Sequence, residues 1–182
     1  MAKPETEKHP PVPWHVSVAV EQIAETGSRF DLVADGKTRA AVARMARLRE
    51  LPRLEATFEV KRHGIGGLRV GGRVSATVGQ TCVVTLEPLS NEVAEDIDLV
   101  FLPQPAAAAA EDAPAGTLRA DQTEPLIGCQ IDLGALAVEF LILGLDPYPR
   151  KPGAVFQPPQ DTTPDEGTFA GLAALKQSRD DH

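Results

Sequence analysis

Four histidines, two cysteines and a scatter of carboxylates are the side chains with which this 182-residue sequence could do chemistry. His9 and His182 lie near the two ends, in Pro-rich and polar stretches. His15 and His63 fall in alternating segments that a sheet could bring together, yet their spacing resembles no metal-ligand pattern. Cys82 has neither a Cys nor a His three or four residues away, and Thr85 stands where a Cys-x-x-Cys pair would close. Ser75 lacks the Gly-x-Ser-x-Gly frame of a nucleophile turn. Glu95, Asp96 and Asp98 lie in a strand pattern that leaves them facing solvent. No metal, cofactor or catalytic residue is expected from these positions, and the chain reads as a non-enzymatic binding protein.

Charge is the more informative signal. The whole chain carries a formal −8, but Gly36 to Arg73 holds ten basic and three acidic residues. Such asymmetry between segments is a mark of polyanion binding; its other reading is that basic and acidic segments pair across the folded surface. The candidate phosphate contacts are Arg44 and Arg47 on a helix, Arg62, Arg69 and Arg73 on a hairpin, and Arg150 with Lys151 on an extended Pro-rich segment. Contacts of that kind give affinity with little sequence specificity. Aromatics make up only 4%, with Trp14 and Tyr148 the single residues of their types, which argues against a broad stacking platform for bases.

These residues need elements to position them. Trp14 to Val20 alternates as a first strand. Thr38 to Leu51 reads as a helix, with Thr38 as N-cap, Pro52 as stop, and Ala41, Val42, Met45 and Leu48 opposite Arg44 and Arg47. Leu54 to His63 and the run LRVGGRVSATV form a hairpin across Gly64-Ile65-Gly66-Gly67, with a bulge or a close backbone approach at Gly71-Gly72. After Cys82 the pattern predicts a strand, a turn at Glu87-Pro88 and a returning strand, with Glu92 to Phe101 alternating. A second helix runs from Leu133 to about Leu143, capped by Asp132 and ended by Gly144. The expected fold is α+β: a mainly antiparallel sheet, open or barrel-like, with two packed helices and disordered tails. Residues 1–13 form a leader, 14–157 one domain with a low-complexity insertion at about 103–124, and 158–182 a polar tail.

The N-terminal stretch has no apolar core of a secretory signal, and no apolar run approaches the roughly 20 residues that span a bilayer. The expected setting is cytoplasmic, away from membranes, with Cys82 and Cys129 as free thiols.

The order of GLRVGGRVSATVGQTC, CVVTLEP, an acidic strand, a linker and IDLGALAVEFLILGLDPYPRKPG resembles the YceD-like family, over about Trp14 to Phe156 and in the form of its alphaproteobacterial members. Many members carry Cys-x-x-Cys where this chain has Cys82 and Thr85, so a metal or redox role does not carry over. The resemblance implies a part in accumulation of 23S ribosomal RNA and assembly of the large subunit. The partner would be ribosomal RNA or a pre-50S particle. In the competing reading the chain is an acidic interaction module or assembly chaperone that holds a basic ribosomal protein.

Overall fold

The computed structural model describes residues 12–103, 123–126 and 128–156. The expected leader, insertion and tail lie outside that set, apart from positions 12–13, 103 and 123–124. The chain runs β1 (Ser17–Ala19), a 3-10 turn, β2 (Ser28–Val33), α1 (Gly36–Met45), β3 (Glu50–His63), β4 (Gly67–Thr81), β5 (Pro88–Pro103), β6 (Thr123–Leu126), β7 (Gln130–Asp132) and α2 (Leu133–Leu143). One sheet has the order β2-β3-β4-β5-β6, and β1 pairs with β7 in a separate ribbon. All ladders are antiparallel except β5 on β6. Among the described residues β2 and β6 are the edges of the large sheet, which is open.

Alternation along the three long strands builds the core. Leu54, Ala56, Phe58 and Val60 of β3, Leu68, Val70, Val74, Ala76 and Val78 of β4, and Val93, Ile97 and Phe101 of β5 are buried. Period-two strands put these residues on one face. The inward position between Val70 and Val74 is Gly72, opposite Phe58 in the ladder. A Cβ there would come within 2.8 Å of the Phe58 ring, so the glycine makes room for the largest fully buried side chain. The ladder is unbroken at Gly71-Gly72, so the expected bulge is absent and the close approach holds. The register shifts instead between Glu50 and Arg53, around Pro52, which cannot donate to a ladder.

Three sequence expectations need correction. α1 is capped by Asp35, whose Oδ1 accepts from the Thr38 amide at 2.7 Å, so Thr38 lies inside the helix. α1 also ends at Met45, and the chain is extended again from Glu50. Residues 82–87 form the turn across which β5, one continuous strand from Pro88, returns along β4, so the separate strand expected after Cys82 is absent.

α2 covers the inner face of the sheet with Leu133, Leu136, Ala137 and Leu141. Its N-terminus is tied to the start of the chain through Asp132. Asp132 Oδ1 accepts from the amides of Ala135 (3.0 Å) and Val16 (2.9 Å), while Oδ2 meets His15 Nδ1 at 2.6 Å. Burial pushes this carboxyl up, but His15 and the two amides outweigh it and hold it below the usual aspartate range. His15 is thus engaged by a carboxylate rather than by His63. Gly134, in the first turn, lies against the backbone of Trp14, where a Cβ would sit 2.7 Å from the carbonyl oxygen. Gly134→Ala is expected to push α2 off the β1 ribbon and cost about 1–3 kcal/mol, read as a lowered denaturation midpoint. An unchanged midpoint would contradict this packing.

Candidate polyanion-binding surface

The seven candidate cations do not share one face. On the outer face of the sheet, Arg73 stands opposite Asp96 and Arg69 one step diagonal from Asp98. Both pairs are bidentate: Arg73 Nε and Nη2 donate to the two Asp96 oxygens at 2.6 and 2.9 Å. Arg69 binds Asp98 in the same way at 3.0 and 2.8 Å. Each guanidinium holds its partner carboxyl below the ordinary aspartate range by hydrogen bonding first and by charge as well. Arg53 is treated alike, reaching Glu92 at 2.7 Å and Glu55 at 3.4 Å. The outer face is therefore a ladder of neutralised charges. Asp96 and Asp98 face solvent as expected, whereas Glu95 has the opposite parity and sits half-buried under Gly144.

Arg62 does not join Arg69 and Arg73. Its strand parity is that of Phe58 and Val60, so it leaves the opposite face, and its Nε donates to the Ile23 carbonyl at 3.0 Å. Lys151 is exposed but held by Glu87 at 2.9 Å. Among the described residues no carboxylate pairs with Arg44, Arg47, Arg49 or Arg150; Lys37 makes no ion pair but its charge helps hold the nearby Asp35 carboxyl below its ordinary range. Lys37 and Arg44 lie on α1, and Arg47 and Arg49 on the turn that follows it. An open groove of about 900 Å³ is lined by Lys37, Arg39, Arg44 and Arg49, with Glu50 the one acid among its walls. Lys37, Ala40 and Arg44 recur at three- and four-residue spacing, the period of one helix face, and Arg47 follows just past the helix end. Lys37 and Arg49 were not among the candidates drawn from the sequence, although their types and spacing could have placed them there.

Arg47 is held in an unusual way. The amide of Leu48 donates to Ala43 O at 2.9 Å and that of Arg47 to Arg44 O at 3.3 Å, the two bonds of a Schellman ending. The C′ residue of that ending is left-handed, and here it is Arg47 at φ 55, where glycine is usual. Leu48 then turns inward onto the core and Arg47 outward into solvent. A second groove, of about 320 Å³, sets Arg47 across from Gln80, Val83, Asp146, Pro147 and Pro149.

The far wall of that groove is pinned by a buried sulfur. Cys82 Sγ accepts from the amides of Lys151 and Thr85, each at 3.4 Å, and Val83 N donates to Pro149 O at 2.9 Å. The Lys151 amide, then the Thr85 contacts, outweigh burial and draw the Cys82 thiol down to about 6. Thr85 fills the position of a second sulfur and donates to the first. Among the described residues no group of three His, Cys, Asp or Glu side chains could hold a metal ion. No helix of these residues is long and apolar enough to cross a membrane.

A mixed, mainly antiparallel sheet with two packed helices, and with the unpaired arginines of the described residues at α1, the turn after it and Arg150, defines a small α+β protein. Residues 70–176, more than half of the chain, match the family of the large ribosomal RNA subunit accumulation protein YceD, and the chain belongs to that family. The match starts later and ends later than the sequence resemblance. It takes in β4 from Val70 on, β5 to α2 and the Tyr148 to Lys151 segment, while α1 lies ahead of it. No curated protein and no solved structure matches the chain.

A left-handed non-glycine residue costs roughly 1–2 kcal/mol, part of which glycine's larger unfolded-state freedom returns. Arg47→Gly is therefore expected to raise stability by about 1 kcal/mol in denaturant unfolding. A loss of stability would mean that the Arg47 side chain has a structural task.

Proposed function

We propose that this chain supports accumulation of the large ribosomal RNA by binding that RNA, or a particle containing it, through the free cations of α1 and the turn that follows it. Family membership supports the ribosomal RNA role. The observation that supports the surface is the partition of cations: Arg69, Arg73, Arg53 and Lys151 already hold carboxylates, whereas Arg44, Arg47 and Arg49 hold none among the described residues. A phosphate approaching Arg73 would have to displace Asp96 and then lie beside it. A phosphate approaching Arg44 displaces only water. Of the three hairpin candidates, Arg69 and Arg73 are paired and Arg62 is held by a backbone carbonyl, so all fall behind Arg44, Arg47 and Arg49; Arg150 follows directly on Pro149, which walls the Arg47 groove. The chemistry is phosphate neutralisation without a reaction.

A second reading has its own support. α2 and β5 line a groove of about 310 Å³ with Leu99, Phe101, Leu136, Phe140 and Leu143, rimmed by Glu124 and Glu139. A basic, partly apolar segment of a ribosomal protein suits that chemistry, and binding there would survive nuclease.

Titration of the full chain with a 23S RNA fragment across a salt series separates the surfaces. Arg44→Gln, Arg47→Gln and Arg49→Gln together are expected to reduce the slope of log affinity against log salt by roughly 2. Arg69→Gln with Arg73→Gln should leave the slope within about half a unit of the parent. The reverse ranking would move the RNA to the sheet face.

A further inference from the structure

We infer that Tyr148 is a stacking site for an unpaired nucleobase, so that the RNA taken by the cationic end is single-stranded where it crosses residues 146–151. The inference rests on the RNA reading above and names the form of RNA that it requires. Tyr148 is 70% exposed. A tyrosine on a free loop would be unremarkable in that state, but this loop is fastened on every side. Gln80 Nε2 donates to Asp146 O at 2.9 Å, and Asp146 Oδ1 accepts from the Tyr148 amide at 2.8 Å. Val83 N then holds Pro149 O, and Cys82 Sγ and Glu87 hold the amide and the ammonium of Lys151. Pro147 and Pro149 fix φ on both sides of the tyrosine. The backbone is therefore immobilised while the ring is left in water, so little ordering entropy remains to be lost when a flat partner lies on it.

The charges around the ring select the partner. Arg150, two residues on, is exposed with no carboxylate among the described residues, and Arg47 stands across the groove from Pro147 and Pro149. Asp146 is the acid of that groove, and its Oδ1 is occupied by the Tyr148 amide. An exposed aromatic face with an unpaired cation two residues along the chain, on a segment that walls the Arg47 groove, fits a base with its phosphates, the combination by which single strands are held without sequence preference. A duplex has its base faces stacked internally and offers none to the ring. Asp146 and the Lys151–Glu87 pair make the immediate surroundings less cationic than α1, so the site adds a base contact to the electrostatic grip and does not replace it.

Tyr148 is the chain's one tyrosine, so fluorotyrosine incorporation places a single fluorine reporter at the site. The labelled full chain is titrated with a short single-stranded RNA, with the matching duplex and with heparin, which has charge but no bases. The fluorine resonance is expected to shift with the single strand alone, although all three bind. Tyr148→Ala should weaken the single-stranded complex about tenfold and leave duplex and heparin binding unchanged, while Tyr148→Phe keeps the parent affinity. Equal shifts with all three ligands, or a Tyr148→Ala variant with undiminished single-strand affinity, would overturn the stacking site and spare the cationic surface. Failure of all three ligands to bind would overturn both.

Discussion

Arg73 faces Asp96, and Arg69 reaches Asp98, because β4 and β5 pair without a break from Leu68–Phe101 to Thr81–Pro88. A slip of one residue would turn the whole inner row of β4 to solvent, so burial of Val70, Val74, Ala76 and Val78 enforces the register. The same register fixes the outer row, where each arginine meets a carboxylate. Exposed pairs of this kind contribute little to stability, about 0.2–1 kcal/mol each. Their larger consequence is electrostatic. They remove two cations and two anions from the face with the most charged side chains, and an acidic protein is left with one end where positive charge stands free. The apolar core thereby decides which of the described cations are left without a carboxylate.

The other half of the molecule is organised by two polar joints. Asp132 collects His15, Val16 and Ala135, tying the chain's first strand to the start of α2, and the close contact at Gly134 depends on that joint. Cys82 does the equivalent work at the other end of the sheet, with a sulfur in place of a carboxylate. Its two amide donors come from its own turn and from Lys151, 69 residues further on. With Thr85 in place of a second sulfur the turn keeps its shape by hydrogen bonding, and the segment bearing Tyr148 and Arg150 is seated on it. Arg47 belongs to the same end through a helix ending that tolerates a left-handed arginine.

Periodicity made much of this legible. The alternation of Leu54 to His63 and of the β4 run, the stripe along α2 and the Asp132 cap all match the structure, because each is a local consequence of burial or capping. α1 looks longer in the sequence than it is because its ending carries no glycine: Arg47 takes the left-handed turn, and Pro52, which looks like a helix stop, sits in a strand irregularity. The turn signal at Glu87-Pro88 is real but precedes a strand instead of dividing one. β6 was missed, being a four-residue edge strand with Pro125 in its middle. The candidate surface was less legible than the fold. Arg62, Arg69 and Arg73 look alike in sequence, and only strand parity and cross-strand register separate the one that reaches a backbone carbonyl from the two that are neutralised. Such pairing is a long-range property, which composition and spacing do not carry.

The central claim is that the free cations at the α1 end, and not the arginines of the sheet, meet large-subunit ribosomal RNA. Ultraviolet crosslinking of the tagged full chain in cells, with sequencing of the bound RNA and mass mapping of the crosslinked peptides, tests it most directly. The account predicts 23S RNA attached to peptides containing Arg44 to Arg49 and Tyr148 to Arg150. Crosslinks confined to the outer face of β3, β4 and β5, or recovery with ribosomal proteins and no RNA, would contradict it.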